Sequence, residues 1–124
     1  MQILSPQDGI FVKKDEGTEV VYHLFPEYEI HYNEVPSGTT QLWHHHKKVE
    51  ETLFIFSGEI EAHWRDENDK ELSQIAKAGD LIRVENTPHT FINNSKEKCV
   101  FLVFRFVPMG IDNREVMKND KYLD

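Results

Sequence analysis

The sequence predicts an all-β protein, an antiparallel sandwich or barrel built from short strands. Three observations carry this reading. Apolar and polar residues alternate with a period of two through most of the chain. The alternating runs are rich in β-branched and aromatic residues. Turn-forming clusters separate them at short, regular intervals. No long segment before residue 110 carries a helical period.

The runs that read as strands are Glu19–Phe25, Tyr28–Val35, Thr40–His46, Thr52–Phe56, Glu59–Arg65, Glu71–Ala78, Asp80–Val84, His89–Asn93 and Cys99–Val107. Turn signals lie between them at Pro36-Ser37-Gly38, Ser57-Gly58, Asp66-Glu67-Asn68-Asp69, Ala78-Gly79-Asp80 and Asn93-Asn94-Ser95. The tail from Asp112 to Asp124 is polar, with one helical turn expected around Arg114–Lys118. The chain is read as a single domain over residues 1–124. Its barrel core spans about residues 20–107, between a short N-terminal arm and the polar tail.

Alternation also assigns faces. In Thr40–His46, His44 and His46 point to one side, and Gln41, Trp43 and His45 point to the other. In Glu59–Arg65, Ile60, Ala62 and Trp64 form the apolar face, which leaves His63 facing solvent with Glu59 and Glu61. His31, between Glu29 and Asn33, reads the same way. Thr52–Phe56 is apolar on both faces, with Leu53 and Ile55 on one and Phe54 and Phe56 on the other. A strand of a small barrel buries one face, so the second calls for a cover, and a second copy of the chain is the expected one.

Composition narrows the function classes. The 22 acidic residues outnumber the 14 basic ones and the net charge is −8. No basic face for nucleic acid is expected, and no run approaches the roughly 18 apolar residues of a membrane span. The N-terminus has no basic region followed by an apolar stretch, and the single Cys99 lies in an apolar run, where it reads as a small core residue. A reducing, cytoplasmic compartment is the expectation. Seven histidines are many for 124 residues, and three of them are consecutive.

Those histidines fall into a pattern. From Gly38 the chain runs five residues to His44, one to His46, four to Glu51 and six to Gly58. Later, nine residues separate Gly79 from His89 and three separate His89 from Asn93. This resembles the paired motifs of the cupin superfamily, whose members are double-stranded β-helix, or jelly-roll, barrels. The first motif is matched at each of its fixed positions. The second departs at Asn86, where the family usually has glycine, and at Val84, where it often has proline. The resemblance implies that His44, His46, Glu51 and His89 occupy the places of four metal ligands.

The residues make a physical case beside the resemblance. Two imidazoles at i and i+2 on a strand can face one ion, a carboxylate supplies charge, and barrel closure brings a fourth ligand from a distant strand. Such a set suits Fe, Mn, Zn or Ni and does not suit calcium. Glu50 competes with Glu51 for the carboxylate place; the spacing to Gly58 and the face shared with Leu53 and Ile55 favour Glu51. Arg105, Phe91 and Tyr32 are candidates for lining a substrate pocket, with Arg105 suited to an anionic group if its face is interior. Asn93 shares a face with His89 and Phe91 and reads as a support of the site or of the structure. Gly58 and Gly79 read as turn residues.

The leading expectation is a metal-dependent enzyme acting on a small polar organic molecule inside the barrel. The resemblance implies dioxygenases, isomerases and decarboxylases among the activities, with dioxygenase or isomerase chemistry favoured. The alternatives are a binding or sensing module without turnover and a dimeric scaffold with a structural metal.

Overall fold

A computed structural model describes residues 1–123. Nine strands run in order: β1 (Ile10–Lys13), β2 (Glu19–Leu24), β3 (Glu29–Val35), β4 (Glu50–Ser57), β5 (Glu59–Arg65), β6 (Glu71–Lys77), β7 (Leu81–Arg83), β8 (His89–Ile92) and β9 (Cys99–Phe106). A short helix, α1 (Arg114–Asn119), follows. The strands form two antiparallel sheets, one in the order β1-β2-β3-β9-β4-β7 and the other β6-β5-β8. This is the jelly-roll architecture that the alternating pattern predicts.

The core fills the space between the sheets. Val35, Leu53, Ile55 and Phe101 enter from the larger sheet, and Ile60 and Phe91 from the smaller. Each belongs to an alternating run, and burying a side chain of this size contributes about 1.5–3 kcal/mol. Cys99 is fully buried among them and its thiol is pushed up to about 11 by that burial. It is a core residue, as the apolar run suggests. At Gly58 the backbone takes a left-handed φ of 74° and passes so close to β9 that a Cβ would lie 2.6 Å from the Lys98 carbonyl oxygen. Only glycine fits there.

The outer face of the larger sheet is unusually apolar. Register places Phe11, Val21, Tyr32, Leu102, Phe54 and Leu81 in one row across six strands. Phe11, Tyr32, Phe54 and Leu81 are exposed. Phe54 and Phe56 contact edge to face beside this row, and Tyr28, Phe104 and Phe106 continue it.

Three differences from the sequence reading have local causes. Strand β1 is an added edge: it pairs only with β2 and all four of its residues are exposed, so burial leaves no alternation to read. Thr40–His46 is not a continuous strand but touches β8 at two points, Thr40 opposite Ile92 and His44 opposite His89. Four residues advance on one side against three on the other, and the extra residue breaks the ladder. His31 faces inward and is 8 % exposed, in phase with Asn33 and Val35, so the solvent-facing assignment is corrected. The inner face at this end of the barrel is itself polar, which hides the phase.

Asn93 locks the turn between β8 and β9. It is fully buried and its amide donates to the carbonyls of Val35 and Glu97 at 2.8 and 2.9 Å. Its Oδ1 accepts from the Ser95 backbone N–H and hydroxyl at 3.0 and 2.7 Å. Asn93→Ala strands two carbonyls and is expected to lower unfolding free energy by about 2–4 kcal/mol, measured by urea denaturation. An unchanged midpoint would refute this role.

Candidate metal centre

His44 and His89 are set opposite each other by two reciprocal backbone hydrogen bonds. The His44 N–H donates to the His89 carbonyl at 3.0 Å, and the His89 N–H donates back at 2.9 Å. Their rings therefore project from one face with centroids 4.3 Å apart. In each ring Nδ1 meets a backbone carbonyl, Leu42 O at 2.9 Å for His44 and Thr87 O at 2.6 Å for His89. A carbonyl only accepts, so the proton sits on Nδ1 and a neutral ring presents a bare lone pair at Nε2. Carbonyls that orient imidazoles in this way are what ligating histidines need.

Glu51, 9 % exposed, enters from β4. One donor atom from each of His44, Glu51 and His89 lies within 4.8 Å of the others. His46 stands beside them, its Nε2 3.2 Å from Glu51 Oε1 and its ring 5.2 Å from that of His44. The Nε2 atoms of His46 and His89 are both buried and neither has a hydrogen-bond partner among the described residues. Burying a polar atom unpaired costs about 1–3 kcal/mol, and a metal ion removes that cost. The donor set thus fits a divalent transition metal. Burial holds both His46 and His89 below the ordinary imidazole value of 6.5, which keeps them neutral and ready to ligate. His45 is exposed and outside the group, as the pleat implies.

Glu50 and Glu51 divide as their alternation dictates. Glu50 is buried on the other face, where its Oε1 accepts from the Glu85 backbone N–H at 3.3 Å and lies 3.6 Å from Arg83 Nε. Glu85 and Asn86 both take left-handed conformations, with φ of 56° and 59°. Asparagine tolerates this region better than most residues, which accounts for its standing where glycine is usual. With its nitrogen turned toward them, the Asn86 amide donates to Val49 O at 2.8 Å and His46 O at 3.1 Å. Asn86 thereby pins the histidine-bearing loop.

Arg105 points inward, in phase with Phe101 and Val103. Its Nε is 2.9 Å from Glu51 Oε1 and its Nη1 donates to Glu29 Oε2 at 3.2 Å. Glu29 also meets His31 Nε2 at 2.8 Å, and the His31 ring packs edge-on against Tyr22. Burial holds His31 below its ordinary value, against the pull of Glu29. A polar chain, Glu51–Arg105–Glu29–His31, thus runs from the cluster along β9 and β3. Glu29 and His31 were missed in the sequence, although His31 shares the parity of buried Val35.

The remaining candidates separate. Phe91 is buried, its ring 5.3 Å from that of His89. Tyr32 points to the outer face, 37 % exposed, with its hydroxyl on Glu34 at 3.2 Å, so it does not line the interior. Its phase is opposite to that of His31. His63 lies on the outer face of β5, partly covered by Glu61 and Glu71. A cavity of about 610 Å³ opens where the edge strands β6 and β7 face each other, and His89 and Phe91 form part of its wall. A smaller one of about 140 Å³ is bounded by Glu29, Arg105 and Tyr28.

Comparison with known proteins bears on the fold. A crystal structure of Drosophila melanogaster CENP-C bound to CAL1 superposes with a TM-score of 0.72 at 19 % identity, covering 82 % of this chain and 84 % of that one. A Lactobacillus farciminis oxalate decarboxylase formate complex gives 0.72 at 20 % identity, covering 89 % of this chain and 34 % of that one. An oxalate oxidase structure gives 0.66 at 16 % identity, covering 76 % and 53 %. No curated protein matches the sequence. The family model of the cupin domain matches residues 31–105, which takes in both histidine motifs and all the strands around the cluster. The chain belongs to the cupin family.

Proposed function

We propose that this cupin is a metalloenzyme that holds a divalent transition metal through His44, His46, Glu51 and His89 and acts on a small organic molecule in the barrel. The observation that carries the reading is the convergence of donor atoms of His44, Glu51 and His89 within 4.8 Å of one another, with the buried Nε2 of His89 in no hydrogen bond among the described residues. Iron, manganese, zinc or nickel fits the donors, and such a metal polarises a bound oxygen or activates water or dioxygen. Dioxygenase-like or isomerase-like chemistry is the reading that membership of the cupin family supports.

The chain's own residues have definable parts. Leu42 and Thr87 carbonyls hold the His44 and His89 rings in the ligating tautomer. Arg105 steadies the Glu51 carboxylate and offsets its charge. Because Glu29 and Glu51 both engage Arg105, its charge is already matched, and it serves as a positioning residue more readily than as an anchor for an anionic substrate. His31 donates its Nε2–H to Glu29 at 2.8 Å and holds that carboxylate toward Arg105. A buried free Cys99 accords with a reducing, cytoplasmic setting. Among the described residues no helix is long and apolar enough to cross a membrane.

A second reading rests on the outer face. The apolar row from Phe11 to Leu81 suits a protein partner, and a second copy of the chain is the simplest one. In this reading the protein is a homodimer, with or without turnover. The likeness to CENP-C bound to CAL1 supports protein binding on this fold.

Metal analysis of protein purified without chelator is expected to show near-stoichiometric metal in wild type and at least a tenfold loss in both His44→Ala and His89→Ala. Equal metal in all three would sink the site. Stability without metal should depend on pH with a definite sign. His31, His46 and His89 sit below 6.5 when folded, so below that pH the unfolded chain binds protons that the folded chain refuses. The melting temperature of metal-free protein is expected to fall as pH drops from 7 to 5, and a flat profile would contradict the buried neutral histidines. Light scattering at micromolar concentration is expected to give the mass of two chains, and Phe54→Glu the mass of one. A wild-type monomer would remove the dimer.

A further inference from the structure

The cavity between β6 and β7 has a construction that the metal cluster alone does not explain. These two strands end their respective sheets and do not pair with each other, so the barrel is open along one seam. Of the residues that line it, Ala76, Val84 and Phe91 are buried and Ala62, Trp64 and Ile82 half-buried, and these apolar side chains make its deepest part. Ala62 lies opposite Phe91 on one side and Gln74 on the other, so a small residue sits in the row where a larger one would fill the space. The charged residues that line the seam, Asp80, Arg83 and Glu85, are exposed. His89 belongs to both places: its ring forms part of the cavity wall, and its buried Nε2 is unpartnered at the cluster.

We propose that this seam is the binding site for the arm of a metal-held ligand. The ligand class is a small molecule with a chelating oxygen head and an uncharged, largely apolar arm of phenyl or short-alkyl size. The head sits at the cluster and the arm passes His89 and Phe91 into the seam. About 610 Å³ matches the space that small-molecule sites offer. The arm is uncharged because the floor presents no charged side chain, and Arg105, the cation nearest the cluster, is taken by Glu29 and Glu51. Ala62 and Gln74 set the length and width of arm admitted. This inference rests on the metal reading above.

Calorimetry on the zinc-loaded full chain with acetohydroxamate, hexanohydroxamate and benzohydroxamate tests it, each affinity being compared with that for aqueous zinc. The two longer arms are expected to bind at least tenfold tighter than acetohydroxamate. Ala62→Phe and Gln74→Trp are expected to abolish that gain while leaving acetohydroxamate within twofold. Gln74 is exposed on an edge strand, so its variant keeps the test alive if Ala62→Phe misfolds. Equal affinity for all three probes, or a gain that survives both variants, overturns the seam and leaves the metal site standing. Zinc uptake that is absent, or unaffected by His89→Ala, overturns both.

Discussion

The two hydrogen bonds that join His44 to His89 are the constraint on which the rest of the site depends. They form one narrow pair of an interrupted ladder, in a loop that follows the larger sheet and lies on an edge strand of the smaller. Without them the first histidine motif would hang from a surface loop. With them, two segments 45 residues apart in sequence present their imidazoles side by side. Thr90 strengthens the junction of this loop with β8 by donating its hydroxyl to Gln41 O at 2.6 Å, and the Gln41 N–H donates to Phe91 O at 3.0 Å. The pairing that closes this end of the barrel is therefore also what sets the two imidazoles side by side.

The polar interior next to this pair is costly and correspondingly specific. Desolvating a carboxylate or a guanidinium costs several kcal/mol, and pairing offsets this only with good geometry. The chain answers by placing Arg105 between the carboxylates of Glu51 and Glu29, while neutral His31 donates a hydrogen bond to Glu29. Buried ion pairs are weak sources of stability, and their value here lies in fixing where Glu51 points. The apolar core on the other side of the barrel, around Leu53, Ile55, Ile60 and Phe101, supplies the burial that tolerates this.

How much of this was legible follows from what each signal measures. Alternation reports which side a residue faces when only one side is apolar, so the inner face of β5 was readable, as was the separation of His45 from His44 and His46. Strands β4 and β9, apolar on both faces, were readable as strands but not as to which side is inner, and the inward phase of Arg105 was left open with them. It fails where the inside is polar, and His31 was misassigned for that reason. It also fails where an extra residue breaks the ladder, as in Thr40–His46, and where a strand is exposed throughout, as in β1. The histidine spacing was readable because it records a loop of set length between sheet positions. The partners of Arg105 were not, because Glu29 and Glu51 meet it only through the pairing of β3, β9 and β4, and pairing across long separations leaves no local trace.

The turn at Glu85 and Asn86 carries a different lesson. Two successive non-glycine residues in the left-handed region cost on the order of 1–2 kcal/mol each. Glycine at position 86 would relieve that strain, but it would also remove the amide that grips His46 and Val49. The chain has thus exchanged local comfort for a tether on its second histidine. Ease of the turn and tightness of the loop that carries His46 are opposed at this one position, and selection for either alone would push residue 86 in opposite directions.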